Sequence, residues 1–148
     1  MNATLRRLLL TGLALAGAYT GFWAYFAPQP WYEHFPGFGR SWLPPLGPYN
    51  EHLAKDAGAM FLALTVLSLI ALRYVHNDVL VRTAGFGWLT FNVLHMTYHF
   101  QHLDMYDTVD KLLNVVTLGL LAAGSIALIL ATVVRRTSAT PGKAPAEH

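Results

Sequence analysis

Four long apolar runs constrain this chain more than any other feature of its sequence. They cover residues 8–26, 54–75, 79–103 and 112–134. A helix of about 20 apolar residues crosses the hydrocarbon core of a bilayer, which is roughly 30 Å thick. Only 12% of the residues are charged, whereas a soluble domain usually carries about 25%. The sequence therefore predicts an all-α fold, a polytopic membrane four-helix bundle that forms a single transmembrane domain over residues 1–136.

The first run follows Arg6 and Arg7, an arrangement that secretory signal peptides share. It is longer than their apolar segment of about 7–15 residues. It also ends in Trp23, Tyr25 and Phe26, where a cleavage site needs small residues. We expect an uncleaved first span.

The segment 28–50 is rich in proline, glycine and aromatic residues. Its prolines exclude a long helix, and Phe35-Pro36-Gly37-Phe38-Gly39 is typical of a turn. Tryptophan and tyrosine rings prefer the membrane interface, so we expect an ordered outer loop, in which Glu33 and Arg40 are candidates for a salt bridge. The tail, residues 137–148, is predicted to be disordered and cytoplasmic.

Basic residues are distributed unequally between the two predicted sides. An excess of Lys and Arg marks the cytoplasmic side of a membrane protein, which here predicts a multi-pass protein of the plasma membrane with both termini in the cytoplasm. Only Arg40, Lys55 and Lys111 fall on the outer side. The predicted inner side holds the other seven of the ten basic residues: Arg6, Arg7, Arg73, Arg82, Arg135, Arg136 and Lys143.

Some functional classes are excluded by composition. The basic residues form no clustered face, which argues against binding of nucleic acid. The chain has no cysteine, so disulfides and thiolate ligands are excluded. The sequence does not decide whether the protein is an enzyme, but it lacks the Gly-x-Ser-x-Gly pattern of serine hydrolases.

Polar residues gather at the outer ends of three predicted spans. On the third span Asn92, His95, His99 and His102 are spaced by 3, 4 and 3 residues, so they share one helix face. A polar face on a membrane-spanning helix is expected to meet protein or a water-filled cavity rather than lipid. The neighbouring spans contribute the remaining candidates, which are Glu51, His52, Asp56, Asp107 and Asp110.

Histidines at i and i+4 on one helix face suit a first-row transition metal, here zinc, iron or copper, with carboxylates completing the shell. His95, His99 and His102 are the predicted primary ligands, and Asp107 and Asp110 would support or extend the site. The predicted facing residues are His52, Asp56 and Glu51. A haem, held for example by His52 and His95, is a weaker alternative.

The same cluster has a second interpretation. Membrane proteins usually pair their buried ionisable groups, so the histidines could hydrogen-bond the carboxylates and fasten the helices together. The two interpretations predict different functions. The first is binding of a metal ion or protons, with metal-dependent chemistry in the membrane; the second is a non-catalytic accessory subunit whose aromatic loop meets another membrane protein or a second copy of the chain.

Two motifs carry a resemblance. The segment Gly47-Pro48-Tyr49-Asn50-Glu51-His52-Leu53-Ala54-Lys55-Asp56-Ala57-Gly58-Ala59, together with His95-x-x-x-His99-x-x-His102-Leu103-Asp104, resembles a group of small four-span membrane proteins of actinobacteria. The likeness covers most of residues 20–105. It implies the four-span fold and the pairing of the two motifs, and it implies no particular reaction.

Overall fold

The computed structural model describes residues 3–137, with side chains described to residue 130, and it confirms the all-α class. The predicted tail lies outside the described residues except for Thr137, which ends the last helix. Five α-helices form most of the structure, with two 3₁₀ turns and one hairpin of two-residue strands between them. In chain order they are α1 (Ala3–Phe26), α2 (Pro28–His34), β1 (Pro36–Gly37), β2 (Arg40–Ser41), a 3₁₀ turn (Pro44–Leu46), α3 (Glu51–Arg73), α4 (Asp78–Gln101), a second 3₁₀ turn (Leu103–Met105) and α5 (Thr108–Thr137).

Polar caps start two of the long helices. The Asn50 side chain accepts a hydrogen bond from the Leu53 backbone N–H at 3.1 Å, as expected for an N-cap. Asn77 does the same for α4, accepting from the N–H groups of Val79 and Leu80. These caps explain why α3 and α4 begin slightly before their apolar runs.

The segment between α1 and α3 is ordered, as expected, but it contains a short helix that the sequence did not predict. Pro28 and Pro30 lie in the first turn of α2, where a helix needs no backbone N–H donors. The strands β1 and β2 then pair antiparallel. The predicted turn is the tip of this hairpin, where Gly37, Phe38 and Gly39 have φ values of 88°, 57° and 77°, a region that glycine adopts most readily.

The long helices pack as two close pairs, α1 with α3 and α4 with α5, and glycines permit the contact. A Cβ added at Gly58 of α3 would lie 2.6 Å from the Tyr25 backbone nitrogen of α1. A Cβ at Gly85 of α4 would lie 3.2 Å from the Ser125 carbonyl oxygen of α5. Small residues let helix backbones approach in this way. The two pairs meet over an apolar core that includes Leu10, Leu13, Leu64, Val81, Trp88 and Leu128.

A buried arginine closes the end of the bundle that holds the start of α1. The Arg6 side chain is 2% exposed. It donates to the Asp78 carboxylate at 2.7 Å and to the Val75 carbonyl at 3.2 Å. The ion pair ties the start of α1 to the turn between α3 and α4.

Three described helices, α1, α3 and residues 108–130 of α5, are long and apolar enough to cross a membrane. This composition indicates a membrane protein. The helix α4 is not among the three, so the predicted four-span arrangement is not established by composition alone.

We expect Gly58→Ala to destabilise the protein and Gly119→Ala to leave it unchanged or slightly more stable. Both substitutions raise helix propensity by about 1 kcal/mol. The new methyl group at position 58 meets backbone atoms of α1, whereas a Cβ at position 119 has nothing within 4 Å. Overpacking of this kind costs about 1–3 kcal/mol. Thermal unfolding in detergent measures the difference, and a Gly58→Ala variant that melts no lower than Gly119→Ala would contradict the packing.

Candidate functional site

The polar stripe predicted on the third span lies on the inner face of α4, except at its end. Asn92 and His99 are buried and His95 is half-buried. The His95 and His99 rings are adjacent, with centroids 4.5 Å apart, and His95 stacks on Phe91 at 5.1 Å. The helix ends before His102, whose Nδ1 donates to the Tyr98 carbonyl at 2.8 Å.

Two polar atoms of this stripe have no hydrogen-bond partner among the described residues. The first is Nδ1 of His99, a residue only 5% exposed, and the second is Oδ1 of Asn92. The other side of the Asn92 amide is satisfied, because Nδ2 donates to Ser125 Oγ on α5 at 3.2 Å. A buried polar group without a partner costs about 1–3 kcal/mol, so these two atoms require an explanation.

Both residues belong to the lining of a cavity of about 440 Å³ between the two helix pairs. Its walls are largely apolar, and aromatic rings supply much of them. All four long helices and the hairpin segment contribute to the lining, which consists of Ala16, Tyr19, Thr20, Phe35, Pro36, Phe38, Arg40, Trp42, Phe61, Phe91, Asn92, His95, His99, Leu113, Asn114, Thr117, Leu118 and Leu121.

The hairpin segment roofs the cavity, and Asp110 holds it there. The Asp110 carboxylate accepts from the Arg40 guanidinium and from Trp42 Nε1–H, the latter at 2.8 Å. The Tyr106 hydroxyl donates to the Trp42 carbonyl at 2.8 Å. On the opposite side, the Tyr19 hydroxyl donates to the Pro36 carbonyl at 3.1 Å. The roof is therefore attached to the C-terminal part of α1 and to the start of α5.

The Tyr106 hydroxyl remains a donor over a wide pH range. Burial, with smaller contributions from Tyr98 and Asp110, raises the pKa of Tyr106 to about 12. Its hydrogen bond to Trp42 is thus retained well above neutral pH.

The predicted residues at the start of α3 do not face the cavity. The His52 and Asp56 side chains pair with each other at 3.3 Å and are 83% and 62% exposed. Glu51 pairs with Lys55 at 2.7 Å and is 59% exposed. His52 and Asp56 share a helix face, as predicted, but that face is exposed and lies outside the cavity lining. A haem bridging His52 and His95 finds no support in this placement.

The predicted residues of α5 serve structural contacts. Asp107 accepts a hydrogen bond from the Asp110 backbone N–H at 2.8 Å and so caps the helix. Asp110 is occupied by Arg40 and Trp42. The suggested Glu33–Arg40 salt bridge is wrong, since Arg40 pairs with Asp110 and Glu33 accepts from Gln29.

Of the eight predicted ligands, only His95 and His99 line the cavity together. In the described part of the chain, no group of three or more His, Asp or Glu side chains is arranged to hold a metal ion. The helix-fastening network is also partial. Asn92–Ser125 joins α4 to α5, and Trp88 Nε1–H donates to Ser68 Oγ of α3 at 2.8 Å, yet neither bond involves a histidine.

Sequence reasoning missed the residues that hold the roof. Trp42, Tyr106 and Tyr19 contact residues 17 or more positions away in the sequence, and no local pattern indicates such contacts. The available signal was Arg40, the one arginine of an otherwise aromatic loop, together with the acids at the start of the fourth run.

Comparisons with protein-family models, with curated proteins and with solved structures find no match to this chain. The site must therefore be interpreted from its own geometry.

We expect Asp110→Asn to loosen the roof and to expose Arg40 to trypsin. The substitution removes a hydrogen bond between charged groups, which contributes about 1.5–3 kcal/mol, so local opening should increase about tenfold or more. The rate of tryptic cleavage after Arg40 in detergent measures this opening. Asp107→Asn is the control, because asparagine also caps a helix; equal cleavage rates in the two variants would show that Asp110 does not hold the roof.

Proposed function

We propose that this chain is a four-span membrane protein that binds a lipid-soluble small molecule in the cavity between its helix pairs. The observation that carries the proposal is the His99 imidazole, which lines the cavity and whose buried Nδ1 has no hydrogen-bond partner among the described residues. A ligand that hydrogen-bonds this nitrogen would supply the missing partner and offset the cost of burying it.

The walls support a largely apolar ligand. Small-molecule sites are mostly apolar cavities of about 300–1,000 Å³ with a few polar groups that orient the ligand, and the volume here falls in that range. The rings of Phe61 and Phe91 pack at 4.8 Å beside His95. In the proposed complex the body of the ligand lies against these rings and its polar group reaches His99.

The surface of α4 supports the fourth span. Its mean hydropathy is lowered by Asn92, His95 and His99, which face inward. Its outward side carries large apolar residues, among them Phe86 at 52% and Leu94 at 69% exposed, together with threonines such as Thr97, whose hydroxyl donates to the Val93 carbonyl at 2.7 Å. A helix of 24 residues is about 36 Å long, enough for the hydrocarbon core. The large residues on the face that would meet lipid are thus apolar.

Mass spectrometry of the intact protein released from mild detergent tests the proposed ligand. We expect a co-purified lipid-soluble molecule at about one per chain. His99→Leu should weaken binding of this molecule about tenfold, which lowers the amount that co-purifies, since one lost hydrogen bond in a buried site costs about 1.5 kcal/mol.

The matched control is His102→Leu, three residues further along the chain and outside the cavity lining. Occupancy should be unchanged in this variant. Equal loss in both variants, or a wild-type protein without ligand whose His99→Leu variant only melts at lower temperature, would favour the accessory-subunit alternative.

A metal ion is the second candidate, favoured by the adjacency of the His95 and His99 imidazoles. Two imidazoles leave coordination positions for a bound molecule to complete. Elemental analysis of the wild type beside a His95→Ala/His99→Ala variant tests it. Stoichiometric metal that is lost in the variant would support this candidate.

The absence of cysteine permits a direct test of the proposed topology with single-cysteine variants. His34→Cys, His76→Cys and Asp104→Cys place thiols in the three exposed connections. In intact cells an impermeant maleimide should label positions 34 and 104, while position 76 should react only after permeabilisation. If positions 76 and 104 label alike, α4 does not cross the membrane.

A further inference from the structure

The cavity has an opening whose border is defined by three wall residues. Most of the lining is buried or half-buried, but Tyr19 of α1, Thr117 of α5 and Phe38 at the hairpin tip are exposed. Tyr19 is 50% exposed and Phe38 is 97% exposed. The opening therefore lies between α1 and α5, beneath the hairpin.

The helix packing explains why the opening is found at this place. The glycine contacts bring α1 against α3 and α4 against α5. The helices α1 and α5 therefore contact each other mainly in the half of the bundle away from the roof. In the other half of the bundle Leu9 of α1 lies against Gly124 of α5, 3.8 Å from its added Cβ. Towards the roof, the corresponding positions on α1 and α5 line the cavity instead.

In the proposed four-span arrangement, the opening lies at the depth of the hydrocarbon core. Tyr19 is seven residues from the end of α1 and Thr117 is nine from the start of α5. At 1.5 Å per residue these positions are about 10 Å and 13 Å below the helix ends. The residues around the opening are apolar and exposed, namely Leu15, Phe22, Leu112, Val116 and Leu120.

The polar groups on the border are suited to contact with lipid. The Thr117 hydroxyl donates to the Leu113 carbonyl at 2.7 Å, and the Tyr19 hydroxyl donates to the Pro36 carbonyl. A hydroxyl that already donates a hydrogen bond within the protein can face a bilayer without a large cost in free energy. The roof bonds of Asp110 and Tyr106 meanwhile cover the end of the cavity nearest to water.

We infer that the ligand enters from the bilayer through the gap between α1 and α5, and that it is a lipid-soluble alcohol or phenol. This inference rests on the proposed function. The hydroxyl follows from Asn92, because its unpartnered atom is an amide oxygen, which can only accept a hydrogen bond. A hydroxyl can donate to that oxygen, and it can either donate to or accept from His99 Nδ1.

The test uses the full chain in lipid vesicles and the fluorescence of its own tryptophans. The probe is 11-bromo-1-undecanol, a lipid-soluble alcohol whose bromine quenches tryptophan, and Trp42 lines the cavity. We expect saturable quenching in the wild type. Thr117→Phe should slow its onset at least tenfold by narrowing the gap.

A second variant separates bulk in the gap from other effects. Val115→Phe adds the same ring on α5 at an exposed position outside the lining, and it should leave the rate unchanged. Equal rates in Thr117→Phe and Val115→Phe would overturn the lateral route.

The route and the site fail in different ways. One outcome is saturable quenching that is abolished by His99→Leu but is not slowed by Thr117→Phe. This outcome overturns lateral entry and supports the site. The water-soluble probe 2,2,2-tribromoethanol tests the alternative route through the roof. Entry is at the roof if quenching by this probe begins faster in the Asp110→Asn variant than in the wild type and Thr117→Phe does not slow it. If neither probe quenches saturably in the wild type, both the proposed function and this inference are overturned.

Discussion

Close helix approach at glycines is the constraint on which the rest of the structure depends. Gly58 brings α3 against the α1 backbone, and Gly85 brings α4 against α5. Because backbones can approach only where side chains are absent, these contacts divide the bundle into two pairs. The space left between the pairs is filled by Trp88 and its apolar neighbours in one half. In the other half it remains a cavity.

The distribution of carboxylates decides what the cavity can do. Asp110 is one of the carboxylates predicted to bind with the histidines, but its carboxylate accepts hydrogen bonds from Arg40 and Trp42 of the roof. Asp56 pairs with His52 on the exposed side of α3. His95 and His99 are thus left with aromatic neighbours and with each other. A pair of imidazoles in apolar surroundings is better suited to orienting a bound organic molecule than to forming an all-protein metal site, which usually has three or four ligands.

The polar bonds between helices have two separate roles. Trp88–Ser68 and Asn92–Ser125 lie between packed helices and join them. Arg6 with Asp78 closes one end of the bundle, and Asp110 with its partners closes the other. The histidines take no part in these bonds. Changing them should therefore affect binding of the proposed ligand more than the assembly of the bundle.

The sequence by itself determined the four long helices and the turn at 35–39, because apolar periodicity and backbone chemistry act over a few residues. It also determined that Asn92, His95 and His99 share a face, since helical spacing alone decides that. It did not determine which way the face of His52 and Asp56 points, nor that Arg40 pairs with Asp110, seventy residues away. Those outcomes depend on how the helices are rotated about their axes and on which distant groups come into contact. Only the tertiary structure decided them, because the packing of helices at their glycines sets the rotation of each helix.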